Sequence, residues 1–154
     1  MSANVGDVAP DFSLPDQTGE HVSLSKFSSE KLVVLAFHVF DFTGGWTNQV
    51  SSFSRANTQF EENNAQVLGI SCDSQHSHRA WSNSLGNIQY PLLADFNPHG
   101  DVAKRYELFN DANGAPKRAI IIVDKSGIIR FREEYAPGVL PSPEDILSEV
   151  IRIG

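Results

Sequence analysis

Between Lys31 and Val39 the chain reads Lys-Leu-Val-Val-Leu-Ala-Phe-His-Val, apolar at almost every position. A strand with one wet face would alternate, so this run predicts a central strand covered on both sides, as in a parallel sheet. After Gly45, the residues Val50, Phe53, Asn57 and Phe60 recur at helical spacing until Asn63-Asn64 stops them. The strand therefore feeds a helix through Phe42-Thr43-Gly44-Gly45. The alternation continues with Ala65 to Cys72 as strand, Ser77 to Leu85 as helix, Tyr90 to Ala94 as short strand and Asp101 to Leu108 as helix. Arg118 to Asp124 and Ile128 to Glu133 then flank Lys125-Ser126-Gly127, which predicts an antiparallel hairpin. A closing helix begins at Ser142, with Pro143 at its first position and Glu144 and Asp145 favouring the dipole. Its apolar stripe is Ile146, Leu147, Val150 and Ile151. Ahead of all this, Pro10 to Leu14 and His21 to Leu24 alternate around Asp16 to Glu20 and predict an N-terminal β-hairpin.

Strands alternating with helices are the α/β signature. A mixed central sheet with helices on both faces and an N-terminal β-hairpin is expected, and a thioredoxin-like fold is its simplest match. With 154 residues and no internal repeat or long linker, residues 1–154 are expected to form a single domain. Twelve Lys and Arg against nineteen Asp and Glu give a formal charge of −7, the wrong sign for a surface that tracks phosphates, so no nucleic-acid partner is expected. The longest apolar run is far short of the ~18–20 residues that span a bilayer, so no membrane span is expected either. The N-terminus has neither a basic nor an apolar leader segment, and a cytoplasmic location is the default expectation. A single cysteine, Cys72, rules out an internal disulfide, a CxxC pair and a cysteine-based zinc cluster. Gly44-Gly45 lacks the lysine and spacing of a phosphate loop, but leaves backbone amides unobstructed at a helix start, where an anion could sit.

Gly6 to Asp16 with Gly19 and Val22-Ser23-Leu24 resembles the opening of the peroxiredoxins, the alkyl hydroperoxide reductase and thiol-specific antioxidant family. The resemblance continues through Leu68 to Ser74, His78-Arg79-Ala80-Trp81, Pro91 to Asp95 and Lys117 to Arg130. It implies a peroxidase motif, Pro-x-x-x-Thr/Ser-x-x-Cys, where the first central strand meets its helix. Here that segment reads Val39-Phe40-Asp41-Phe42-Thr43-Gly44-Gly45-Trp46. Thr43 is kept, Val39 stands at the proline position, and Trp46 stands at the position of the peroxide-attacking cysteine. Arg118 matches the arginine that the family carries at the start of a later strand.

Thiol peroxidases attack a peroxide oxygen with a thiolate and form a sulfenic acid that a second thiol reduces. A helix N-terminus, an arginine and a threonine hydroxyl favour that thiolate. All three positions persist here, but an indole supplies no nucleophilic lone pair. The expectation is thus a peroxiredoxin-family antioxidant protein, inactive as written, whose site residues are Trp46 (the position of the peroxidatic Cys or Sec), Thr43 and Arg118. Three readings stand. The site is disabled and the fold binds a partner or small anion. Alternatively, Trp46 replaces a native cysteine or selenocysteine, since the three codons share two bases. Or Cys72 acts as a one-cysteine peroxidase. Active chemistry would imply a hydroperoxide substrate and an external thiol reductant, with no cofactor and no metal. A monomer or simple homodimer is expected.

The plainer alternatives are that Thr43 only caps a helix and that Arg118 pairs with an acid. Cys72 is expected to be buried and inert, next to the unfavourable charge of Asp73. His76 and His78 are expected as a surface pair and His38 as a hydrogen-bonded core histidine. Trp81 and Phe53 are expected as core anchors.

Overall fold

The computed structural model describes residues 3–154, with the backbone alone at 44–47. Two short strands, β1 (Ser13–Pro15) and β2 (His21–Ser23), pair antiparallel as the expected hairpin, and a 3-10 turn over Leu24–Phe27 follows. The central strand β3 (Leu32–Phe37) is buried at every position. It runs into α1 (Gly44–Arg55), which is followed by α2 (Asn57–Glu62). Val50, Phe53, Asn57 and Phe60 are all buried, so the predicted stripe holds although one helix becomes two at Ala56. Next come β4 (Ala65–Ser71), α3 (Gln75–Ser84) and β5 (Leu92–Ala94). β5 is shorter than predicted because Pro91 has no N–H to give, while the Leu92 N–H is taken by the Gln17 side chain.

Helix α4 (Asp101–Arg105) stops three residues before the predicted end. Glu107 adopts a left-handed φ of 58°, and the Leu108 N–H turns back to the Ala103 carbonyl, a motif that closes a helix. A two-residue pair, β6 (Phe109–Asn110) and β7 (Ala115–Pro116), was not predicted, being too short to show a period. The hairpin β8 (Ala119–Val123) and β9 (Ile129–Glu134) is antiparallel as expected, and α5 (Pro143–Ile153) ends the fold.

The main sheet has the order β5-β4-β3-β8-β9, with β3 parallel to β4 and antiparallel to β8. Alternate residues of β3 therefore serve two cores. Val33, Leu35 and Phe37 pack with the N-terminal hairpin, Val102 and Tyr106, whereas Leu32, Val34 and Ala36 pack with Phe53, Phe60, Trp81, Ile146 and Val150. Phe53 and Trp81 are thus core anchors, at 0% and 1% exposure. In α5 the predicted stripe needs one correction. Ile151 is exposed, and Ile153 takes part in the packing instead. Among the described residues no helix is long and apolar enough to cross a membrane.

Candidate active site and a buried His-Asp-His cluster

The sheet delivers two segments to one end of β3. The register pairs Phe37 with Ala119, so His38 and Arg118 are the residues just beyond the last pair, where both strands leave the sheet. Val39, the motif's proline position, lines a cavity of about 390 Å³ together with Arg118, Lys117, Glu134 and Tyr135. Partial burial shifts the Arg118 guanidinium below its ordinary pKa, because leaving water disfavours the charged form. Thr43 occupies the N-cap position of α1 with an extended backbone, and its exposed hydroxyl donates to the Phe40 carbonyl at 2.7 Å. Phe42, just before it, has a φ of 65°, a left-handed conformation uncommon for an aromatic residue that turns the chain sharply into the helix. The backbone of α1 starts at Gly44, two residues before the expected start after Gly45, and Trp46 falls in its first turn. The Trp46 side chain lies outside the described residues.

Cys72 follows β4 and is 2% exposed. Burial pushes its thiol up to about 12, and the negative charges of Asp95 and Asp73 add to the effect. The expectation of a buried cysteine is met, and its protonated state at neutral pH makes it a poor nucleophile.

The largest departure from expectation lies beside the motif. His78 is not on the surface. It is fully buried, while His76 two residues earlier is exposed. Helix α3 is capped by Ser74, whose side chain accepts the Ser77 N–H, and it turns His78, Trp81 and Ser82 inward together. The i, i+3 spacing from His78 to the core anchor Trp81 was the signal that places the histidine inside, rather than its spacing from His76.

His78 Nδ1 lies 2.6 Å from Asp41 Oδ2, and its Nε2 lies 3.0 Å from the Leu93 carbonyl oxygen. His38, buried as expected, places Nε2 at 2.9 Å from Asp41 Oδ1. Ser77 Oγ donates to Asp41 Oδ2 at 3.0 Å. The Asp41 N–H donates to Asp73 Oδ2 at 2.9 Å, an oxygen that also accepts from Ser71 Oγ at 2.6 Å. Burial pushes the Asp41 carboxyl upward, but hydrogen bonds and charge from His38 and His78 outweigh it and hold the group below the ordinary carboxylate range. The rings of His38 and Trp81 stand 5.2 Å apart and those of Phe42 and Trp81 6.2 Å apart. The cluster therefore ties the end of β3, the loop before α1 and the first turn of α3 into one unit. Asp41 carried little signal of this in the sequence, since only His38 is near it in the chain and its other partners, Asp73, Ser77 and His78, are 32 to 37 residues away.

With this geometry in view, comparisons with known proteins place the chain. A sequence profile of the AhpC/TSA family matches residues 5–132. This chain belongs to the AhpC/TSA family. Within the family's reach, alkyl hydroperoxide reductase E of Mycobacterium tuberculosis is 38% identical over 135 residues, covering 88% of each protein. The chloroplastic 2-Cys peroxiredoxin BAS1 of Hordeum vulgare is 35% identical over 152 residues, which is 93% of this chain and 71% of that protein. The crystal structure of reduced 2-Cys peroxiredoxin from Plasmodium vivax superposes with a TM-score of 0.89 at 28% identity, over 97% of this chain and 81% of that one. The thioredoxin-like fold of the family is thus the fold of this chain, including the N-terminal hairpin and the mixed five-stranded sheet.

Proposed function

We propose that this AhpC/TSA-family chain carries a peroxide-reducing framework whose nucleophile position is filled by Trp46, so that the polypeptide as written turns over no peroxide. Cys72 carries the reading. It is the chain's one thiol, and it is buried with its proton held to about pH 12. With a cysteine or selenocysteine at 46, the first turn of α1 would supply N–H groups and a partial positive charge that favour the anion. Thr43 at the N-cap would orient the peroxide, and Arg118 at the adjoining strand start would stabilise the charge that develops on the leaving oxygen. The thiolate or selenolate would attack one peroxide oxygen, the O–O bond would break, and the departing oxide would take up a proton. With no second cysteine in the chain, an external thiol would reduce the oxidised intermediate.

The test is peroxide consumption with excess small thiol, comparing the parent with Trp46→Cys. The expected result is no turnover above background in the parent and a gain in Trp46→Cys that Thr43→Val and Arg118→Leu each reduce by about 10²-fold. Turnover by the parent that disappears in Cys72→Ala would overturn the reading and assign the chemistry to Cys72. Silence in both parent and Trp46→Cys would leave the fold as a binding module.

A further inference from the structure

We propose that His38, Asp41, Asp73 and His78 form a site for a divalent transition metal of the zinc class. One ligand atom from each of the four lies within 4.8 Å of all the others. Ligands held at zinc's usual ~2.0–2.1 Å in a tetrahedron stand roughly 3.3 Å from one another. The separations here bracket that value, from 2.6 Å for His78 Nδ1 to Asp41 Oδ2 up to the 4.8 Å limit. Small side-chain rotations on a fixed backbone would bring the four into coordination.

The donor set selects the ion. Two imidazoles with two carboxylates are too nitrogen-rich for calcium or magnesium, which take all-oxygen shells, and too hard for copper(I) or an iron-sulfur cluster. The two carboxylates bring a negative charge that a divalent ion would offset, in a cluster where three of the four residues are buried.

The second observation lies outside the four residues. A ring nitrogen facing a carbonyl oxygen must carry the proton, so with the 3.0 Å contact of His78 Nε2 to the Leu93 carbonyl the neutral ring has its lone pair on Nδ1, facing Asp41. Metal-bound histidines have this arrangement, the distal N–H fixed by a backbone carbonyl. Nδ1 and Asp41 Oδ2 would then be two acceptors 2.6 Å apart, an approach that requires a cation between them, either a proton or a metal. The carboxylates are steadied in the same way, Asp41 by Ser77 and Asp73 by Ser71 and the Asp41 N–H. Four protein ligands close a tetrahedral shell, the pattern of a structural ion, and this one would clamp the end of β3 and the loop before α1 onto α3. The proposal is independent of the residue at 46.

The test uses the full chain, stripped with a chelator and titrated with Zn²⁺, with metal content measured after desalting and Co²⁺ as an optical probe. The expected result is one Zn²⁺ per chain and the intense visible bands of four-coordinate Co²⁺. His38→Gln and Asp73→Asn should each weaken binding at least ~10-fold, whereas His76→Asn, exposed on the same helix, should leave it unchanged. Asp73→Asn keeps the shape of the half-buried Asp73 and one oxygen able to accept the Asp41 N–H and Ser71 Oγ, and it decides the matter if His38→Gln does not fold. The absence of stoichiometric binding would overturn the proposal and mean that protons alone hold the cluster. Binding that survives both His38→Gln and Asp73→Asn would overturn it as well, by placing the ion elsewhere.

Discussion

Burial raises the pKa of any acid, and Cys72 and Asp41 diverge through what stands beside them. Asp41 faces two imidazole rings, which outweigh its desolvation, and also accepts a serine hydroxyl. Cys72 faces two carboxylates, and Lys104 with a backbone hydrogen bond from Gly100 offsets them only in part. A consequence for reactivity and for stability follows from the thiol. Iodoacetamide should label Cys72 in the native protein far more slowly than in urea, as a time course followed by mass spectrometry would show. The unfolded thiol titrates near ~8.5, whereas the folded one holds its proton to about 12. The stabilisation is complete below the unfolded value and is lost as the pH climbs through the folded one, because the unfolded chain then binds fewer protons. Denaturant midpoints measured from pH 8 to 11 should fall in the parent and fall less steeply in Cys72→Ala. Tyr90 and Tyr106, also raised by burial, add to the decline in both proteins.

At the scale of elements, the starts of α4 and α5 were written plainly in the chain, those of α1 and α3 came two residues earlier than expected, and helix faces were less legible. Ser142, Pro143 and the acids that follow form the start of α5 as the sequence implies, with Ser142 Oγ accepting the Asp145 N–H and donating to Glu144. Ser142→Ala should cost about 1 kcal/mol, a fall in melting temperature of roughly 2–4 °C by calorimetry. The face that a helix buries depends on what it lies against, which is why Ile151 points to solvent and Ile153 does not. Helix α3 makes the same point beside the candidate site. His76 and His78 look alike as a pair in sequence, yet a rotation of two residues puts one in water and the other in the core beside Asp41.

Across the whole molecule, one sheet feeds two separate cores, and the candidate site lies where β3 and β8 leave the sheet together. Phe53 is fully buried and stacked on Phe60, whose ring centroid is 5.9 Å away, and it anchors α1 to the sheet. Phe53→Ala should cost about 3–5 kcal/mol, read as a lower urea midpoint with little change of slope. The same variant tests whether the start of α1 depends on this anchor. In a Trp46→Cys background with restored turnover, loosening α1 should lower peroxidase activity before the protein unfolds.

Periodicity, helix-start residues and motif order determined the mixed α/β fold, the family and the placement of Thr43 ahead of a helix, because each depends on residues within a few positions of one another. The proposal that Trp46 stands at a nucleophile position rests on the same short-range pattern. The tertiary structure alone decided that Arg118 reaches the end of β3, since strand register joins segments about 80 residues apart. It also decided that Asp41 gathers His38, Ser77 and His78 around one carboxylate. No local pattern encodes such a cluster. Its members occupy three elements, and apart from His38, which the sequence already places in the core, each polar residue reads alone as surface or loop until packing excludes water and each must find its hydrogen-bond partner in the others.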